Sequence, residues 1–93
     1  MTFELGFLED ALKEWHKLDA NTRAHFKARL AERLENPHVP SAKLSGQKDR
    51  YKIKLRSVGY RLVYEVRDRA LIVVVVAVGK RERSAVYKAA AKR

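Results

Sequence analysis

Midway along the chain, Tyr51 to Arg56 alternates apolar and basic residues, with Tyr51, Ile53 and Leu55 set against Lys52, Lys54 and Arg56. Successive side chains on a strand point to opposite faces, so this pattern predicts a strand with one apolar face and three cations in a row on the other. The same period of two returns at Tyr60 to Val66, where Tyr60, Leu62, Tyr64 and Val66 share one face and Arg61, Val63 and Glu65 the other. Ser57-Val58-Gly59 makes a tight connection between them, and the resulting hairpin brings Arg61 alongside Lys52 and Lys54. From Leu71 to Val78 every position is apolar. A β-branched run with no polar alternation is expected at a sheet centre, buried on both faces. Thr2 to Phe7 reads as a further strand, weakened by Gly6.

Two helices are expected between the first strand and the hairpin. Leu8, Ala11, Leu12, Trp15 and Leu18 fall at helical spacing, with Glu9, Asp10, Lys13, Glu14 and Lys17 on the remaining faces. Asp19 or Asn21 caps a second helix, in which Phe26, Leu30 and Leu34 form the apolar stripe. That helix stops by Asn36, because Pro37 disfavours a helical conformation in the residue before it. The two helices form a hairpin over one side of the sheet. Residues 36–47, with both prolines and Gly46, read as a loop. After Gly79, Lys80 to Tyr87 and the alanine-rich tail to Arg93 predict a last helix with little apolar surface, in which Val86 and Ala90 pack inward.

Composition narrows the class. A chain of 93 residues with 46% hydrophobic content makes one domain, 1–93, with one modest core. With no cysteine there is neither a disulfide framework nor a thiolate site. The N-terminus lacks signal-peptide features and the longest apolar run, Ala70 to Val78, is too short for a bilayer, which leads to the expectation of a soluble cytoplasmic protein that uses no membrane.

The net charge is +10, and it is unevenly placed. Residues 1–42 hold 6 Lys and Arg against 7 Asp and Glu, whereas residues 43–93 hold 15 against 4. The excess belongs to the second half, where it builds a face suited to a polyanion such as a phosphodiester backbone.

Conventional catalytic sets are missing from the pattern. His16 and His25 fall on the predicted helices and His38 in a loop, without metal-ligand or acid-base spacing, so surface roles are expected for them. Asp49, Glu65, Asp68 and Glu82 make no carboxylate cluster for magnesium, and no glycine-rich phosphate loop occurs. No metal or other cofactor is expected.

What remains is a group of cations and a phenol: Lys52, Lys54, Arg56, Arg61, Lys80, Arg81, Arg83 and Tyr87. Cleaving RNA without metal requires a base for the 2′-OH, positive charge for the phosphorane and a proton for the departing 5′-oxygen. Ordinary lysine and tyrosine, with pKa values of about 10.4 and about 10, are poor bases at neutral pH. Crowded cations lower both values, and arginine serves better as a charge clamp than as a proton donor. Tyr51, Tyr60 and Tyr64 occupy core-facing positions, while Tyr87 adjoins the basic run and suits either packing or chemistry.

The segments ALKEWHKL, NPHVPSAKLSGQKD, YKIKLRSVGYRLVYEV and VGKRERSAVY, in this order and spacing, closely resemble the RelE family of bacterial toxins. The resemblance runs the length of the chain. It implies a small α+β fold of the microbial-ribonuclease type, β-α-α-β-β-β-α, with a mostly antiparallel four-stranded sheet and a helical hairpin on one face. It also implies a ribosome-dependent endoribonuclease that cuts mRNA in the A site by 2′-OH attack, leaving a 2′,3′-cyclic phosphate and a 5′-OH.

Carried over residue by residue, Lys52 and Lys54 match the family's active-site lysines and Arg61 its phosphate-stabilising arginine. Arg81 matches the residue assigned to leaving-group protonation or transition-state stabilisation, and Tyr87 the tyrosine that acts as base or orients the RNA. Arg56, Lys80 and Arg83 complete the RNA-binding surface. The base is left open between Lys54 and Tyr87. The implied partners are A-site mRNA, ribosomal RNA, a RelB-like antitoxin that displaces or covers the last helix, and operator DNA bound only as the toxin–antitoxin complex. Two other readings fit the same charge: a non-catalytic basic module on ribosomal RNA or operator DNA, and a folded but inactive toxin.

Overall fold

Residues 72–78 of the apolar run lie inside the sheet, whereas Leu71 stands in the turn before it, at φ +55° and 38% exposed, because the chain reverses there. The computed structural model describes residues 2–82 and 84–93. Its elements are β1 (Glu4–Phe7), α1 (Glu9–His16), α2 (Ala20–Glu35), a 3₁₀ turn (Pro40–Ala42), β2 (Arg50–Leu55), β3 (Tyr60–Arg67), β4 (Ile72–Lys80) and α3 (Ala85–Ala91). The strand order is β1-β4-β3-β2. β1 runs parallel to β4, and the β3–β4 and β2–β3 pairs are antiparallel, the mostly antiparallel α+β sheet that the sequence predicts.

Each face of the sheet carries its own apolar cluster. On one, Trp15, Phe26 and Leu30 of the helical hairpin meet Tyr51, Ile53, Leu62, Tyr64, Val73 and Val75. On the other, Val86 and Ala90 of α3 cover Val63, Val76 and Ala77. Residues 73–78 of β4 are therefore buried from both sides. At about 25 cal/mol per Å² of apolar surface, removing this strand from water is a main stabilising term of the fold.

One irregularity in the ladder has consequences for function. Val63 pairs with Ala77 but Tyr64 pairs with Val75, leaving Val76 as an extra residue on β4. Such a β-bulge reverses the facing of everything beyond it. Val73 and Val75 face the helical hairpin, Val76 and Ala77 both join the α3 side, and Val78 returns to the hairpin side. Gly79 consequently faces α3.

Element ends depart from expectation in several places. β1 begins at Glu4 rather than Thr2, because the Phe3 amide donates to the Leu34 carbonyl (2.9 Å) at the end of α2. β2 gains Arg50 and ends at Leu55, so Arg56 stands on the turn. α2 starts at Asp19, whose carboxylate accepts from the Thr22 amide (3.1 Å) and hydroxyl (2.6 Å). This settles the cap in favour of Asp19 over Asn21. The last helix does not begin near Lys80: β4 continues through Lys80, paired with Tyr60, and α3 opens only at Ala85 after Ser84, whose φ is +60°. Ladder pairing with β3 keeps Lys80 in the strand rather than in the helix.

Candidate active site

The hairpin register assembles the basic face. Lys54 pairs with Arg61 across β2–β3, and Arg61 pairs with Gly79 across β3–β4. Lys52 pairs with Val63, one step back along the same face. Because the bulge turns Gly79 toward α3, the row Lys54, Arg61, Gly79 ends under that helix. A Cβ on Gly79 would lie 3.1 Å from Val86 Cγ2, so a glycine is what lets α3 come this close. The next residue on the helix, Tyr87, then covers Arg61, with the guanidinium carbon 5.3 Å from the ring centre. The Tyr87 hydroxyl is buried and finds no hydrogen-bond partner among the described residues.

Arg81 reaches the same place from the end of β4. Its amide donates to the Gly59 carbonyl (2.7 Å) in the β2–β3 turn. Gly59 adopts φ +69°, which a glycine accommodates without strain. Lys54, Arg56, Arg61 and Arg81 thus border one depression of about 230 Å³. Beside it runs a wider groove of about 510 Å³, where Lys52, Lys54 and Arg56 meet His25, Arg29 and Arg33 of α2. No carboxylate lines either hollow among the described residues.

This crowding acts on Lys54. Lys52 above all, then partial desolvation, Arg61, Arg56 and Arg81, hold its ammonium below the ordinary lysine value. An amine that gives up its proton more readily is a better general base.

Five of the eight proposed residues, Lys52, Lys54, Arg56, Arg61 and Arg81, thus surround two adjoining hollows, and Tyr87 lies over Arg61. Lys80 does not join them. It pairs with Tyr60 beyond the bulge and borders the opposite side of the sheet with Lys17 and Leu18. Arg83 lies outside the described residues. The histidines take surface positions as expected: His16 and His25 are exposed, and His38 joins the Tyr51 hydroxyl (2.9 Å) to Asp68 (2.8 Å).

Sequence reasoning missed His25, Arg29 and Arg33. Their spacing of four is a visible helical stripe. It lies beside the apolar stripe Phe26, Leu30 and Leu34, and only the packing of α2 on β2 turns it toward the lysines. Arg33 also donates to the Lys52 carbonyl (3.2 Å) and to the Tyr64 hydroxyl (2.9 Å), fixing the start of the groove.

Known proteins resemble this chain in sequence and in fold. The family described as ParE toxin of type II toxin-antitoxin system, parDE, matches residues 5–85. The mRNA interferase toxin RelE of Escherichia coli strain K12 is 55% identical over 93 residues, which cover 100% of this chain and 98% of that protein. The structure of a mutant E. coli toxin RelE in the free state matches with a TM-score of 0.92 at 53% identity, covering 100% of this chain and 98% of the other. A mutant RelE in complex with an antitoxin RelBc peptide matches with a TM-score of 0.85, also at 53% identity and the same coverage. With likeness of this extent in sequence and fold, the chain belongs to the RelE family of type II toxin–antitoxin toxins.

Proposed function

We propose that this chain is the toxin of a toxin–antitoxin pair and a metal-independent endoribonuclease, an mRNA interferase that cleaves mRNA in the ribosomal A site. The observation that carries the reading is the pairing of Lys54 with Arg61 beside Arg81, a row of cations in which Lys54 is the group most disposed to release its proton. Lys54 takes the proton of the 2′-OH, and the oxygen attacks the adjacent phosphorus. Arg61 and Lys52 hold the charge that builds on the phosphorane oxygens. Arg81 faces the departing 5′-oxygen and stabilises its charge as the P–O bond breaks; a proton taken up from solvent completes the 5′-OH, and Lys54 returns the proton it removed to solvent. The products are a 2′,3′-cyclic phosphate and a 5′-OH, so no water is consumed in this step.

Tyr87 orients the phosphate: its ring sets Arg61, and its hydroxyl, buried and without a partner among the described residues, turns outward to the phosphate when RNA binds. Arg56 and the groove bearing His25, Arg29 and Arg33 grip the strand on one side of the cut, by charge rather than by base. The whole chain acts as one domain in the cytoplasm, where ribosomes are found. Among the described residues no helix is long and apolar enough to cross a membrane. The partner that restrains it is a RelB-like antitoxin, with operator DNA bound by the complex of the two. The relative solved with an antitoxin peptide supports this assignment.

The test is to incubate the protein with mRNA alone and with the same mRNA on ribosomes whose A site is empty, then to map the RNA ends. Cleavage on ribosomes with cyclic-phosphate ends is expected. Ribosome binding with intact mRNA in both samples would replace this reading by that of a basic binding module.

A further inference from the structure

Tyr87 is carried by a helix that has little of its own to hold it. α3 spans seven residues and buries only Val86 and Ala90. Two turns of helix are not stable in isolation, and Ser84 supplies no side-chain cap at the start. What fixes α3 is found at its other end.

There, Arg93 makes a forked contact with Glu14 of α1, Nη1 to Oε1 at 2.8 Å and Nη2 to Oε2 at 3.0 Å. Nη1 also donates to the Val76 carbonyl at 2.8 Å, and Glu14 Oε1 accepts from the Val78 amide at 3.1 Å. The register of β1 with β4 ends at Phe7 opposite Val75, so Val76 and Val78 offer backbone groups on an edge with no strand beside it. Glu14 and Arg93 occupy that edge. The two side chains are only 30% and 20% exposed, a sheltered geometry in which a bidentate pair is worth more than on an open surface. From the other flank, Arg50 donates to the Ala90 carbonyl while held by Glu65 (3.2 Å). The last turn of α3 is thereby tied to α1, β4 and β2.

We propose that the Glu14–Arg93 pair is a latch that sets α3 on the sheet and so places Tyr87 over Arg61, making both members positioning residues for cleavage although neither lines the basic hollows. The inference rests on the function proposed above. Its physical content is that Tyr87 lies one turn before Ala90 and six residues before Arg93, on a helix too short to absorb movement at its end. Releasing Arg93 lets α3 lift from Gly79 and carries the Tyr87 ring off Arg61.

The experiment uses the full chain with Arg93→Ala and, separately, Glu14→Gln, which keeps an acceptor for the Val78 amide and serves should the first variant fold poorly. Amide hydrogen exchange in residues 88–92 is expected to quicken about tenfold in both, with β3 and β4 unchanged, as befits local release. On ribosome-bound mRNA, single-turnover cleavage should fall about tenfold at unchanged ribosome affinity, the loss expected from misplacing a reacting group. Arg93→Lys should recover part of it. In a Tyr87→Ala background, which removes the ring as well as the hydroxyl, Arg93→Ala should cost no more than about a further twofold, because the latch acts through that side chain. Unaltered exchange in both variants, or losses that multiply in the double variant, would overturn the proposal. Should the parent chain leave ribosomal mRNA intact, the proposed function fails, and the exchange comparison still decides whether the latch holds α3.

Discussion

The guanidinium of Arg61 on β3 and the ring of Tyr87 on α3 face each other at 5.3 Å, joining the centre of the basic row to the chain's last helix. Contacts of this kind contribute about 0.5–2 kcal/mol, depending on desolvation. The ring steadies Arg61, and the buried hydroxyl has no partner among the described residues, which under the function proposed above leaves it for a phosphate. Tyr87→Phe should therefore lower cleavage by about 10- to 100-fold while leaving stability unchanged or raised by about 1 kcal/mol, since an unsatisfied buried hydroxyl is removed. Tyr87→Ala should lose both activity and stability. Urea unfolding alongside single-turnover cleavage separates the two; a Phe variant with full activity would remove the hydroxyl from the site.

The state of Lys54 makes the rate depend on pH in a definite sense. Its charged form is disfavoured in the fold, chiefly by Lys52, so it loses its proton below the 10.5 of ordinary lysine. With Lys54 as the base, log kcat should rise with pH and level off below that value. Lys52→Ala removes the largest cause and should move the plateau to higher pH; an unmoved profile would assign the base elsewhere. Stability follows the same sign. The folded chain binds fewer protons here than the unfolded chain, so the repulsion is present at neutral pH and is relieved as pH rises through the folded value.

Arg29 tests the groove without touching the cut. Arg29→Ala should raise KM several-fold with kcat held within about twofold, and should reduce the slope of log affinity against log salt by about 0.7, the loss of one phosphate contact on a single strand. Exposed Arg67, hydrogen-bonded to Glu65 (2.8 Å), is the control and should change neither quantity. An equal fall in both variants would mean that bulk charge alone governs binding.

Tyr64 is a structural tyrosine, fully buried and stacked on Tyr51 at 5.5 Å between ring centres. Its hydroxyl donates to the Pro37 carbonyl (2.7 Å) and accepts from Arg33 (2.9 Å). Tyr64→Phe should cost about 1–3 kcal/mol by leaving both without that partner. The midpoint of chemical unfolding measures it, and a variant as stable as the parent would show that the loop and Arg33 find other partners.

Gly79→Ala should be felt at the site before it is felt in the fold. A methyl 3.1 Å from Val86 Cγ2 pushes against α3, the movable partner. Loss of cleavage with about 1 kcal/mol or less of destabilisation is expected, at the mild end of overpacking. Equal stability with full activity would show that α3 yields without carrying Tyr87 away.

How much of this was legible in the sequence depends on the range over which each feature is decided. The period-two alternation at residues 51–56 and 60–66 fixed the facing of both strands and put Arg61 alongside the Lys52 and Lys54 face, whereas the Lys54–Arg61 pair itself depends on a turn of four residues, 56–59, one more than Ser57-Val58-Gly59. The unbroken apolar run announced a strand covered on both sides, and Pro37 and Asp19 marked the limits of α2. All of these rest on neighbours in the chain, where steric preference and burial act on each residue in turn.

The tertiary structure decided the rest. The bulge at Val76 has no local mark in a run of valines, since whether a strand takes an extra residue depends on the fit of two strands and of the helices on both sides. That bulge is what turned Gly79 toward α3 and put Lys80 on the other side of the sheet. The Glu14–Arg93 pair joins residues 79 apart, and the turning of His25, Arg29 and Arg33 toward the lysines awaited the packing of α2 on β2. Local alternation determined which side chains are cationic and which way they face, whereas long-range packing determined which of them share a hollow, because that outcome belongs to two elements together and is written in neither alone.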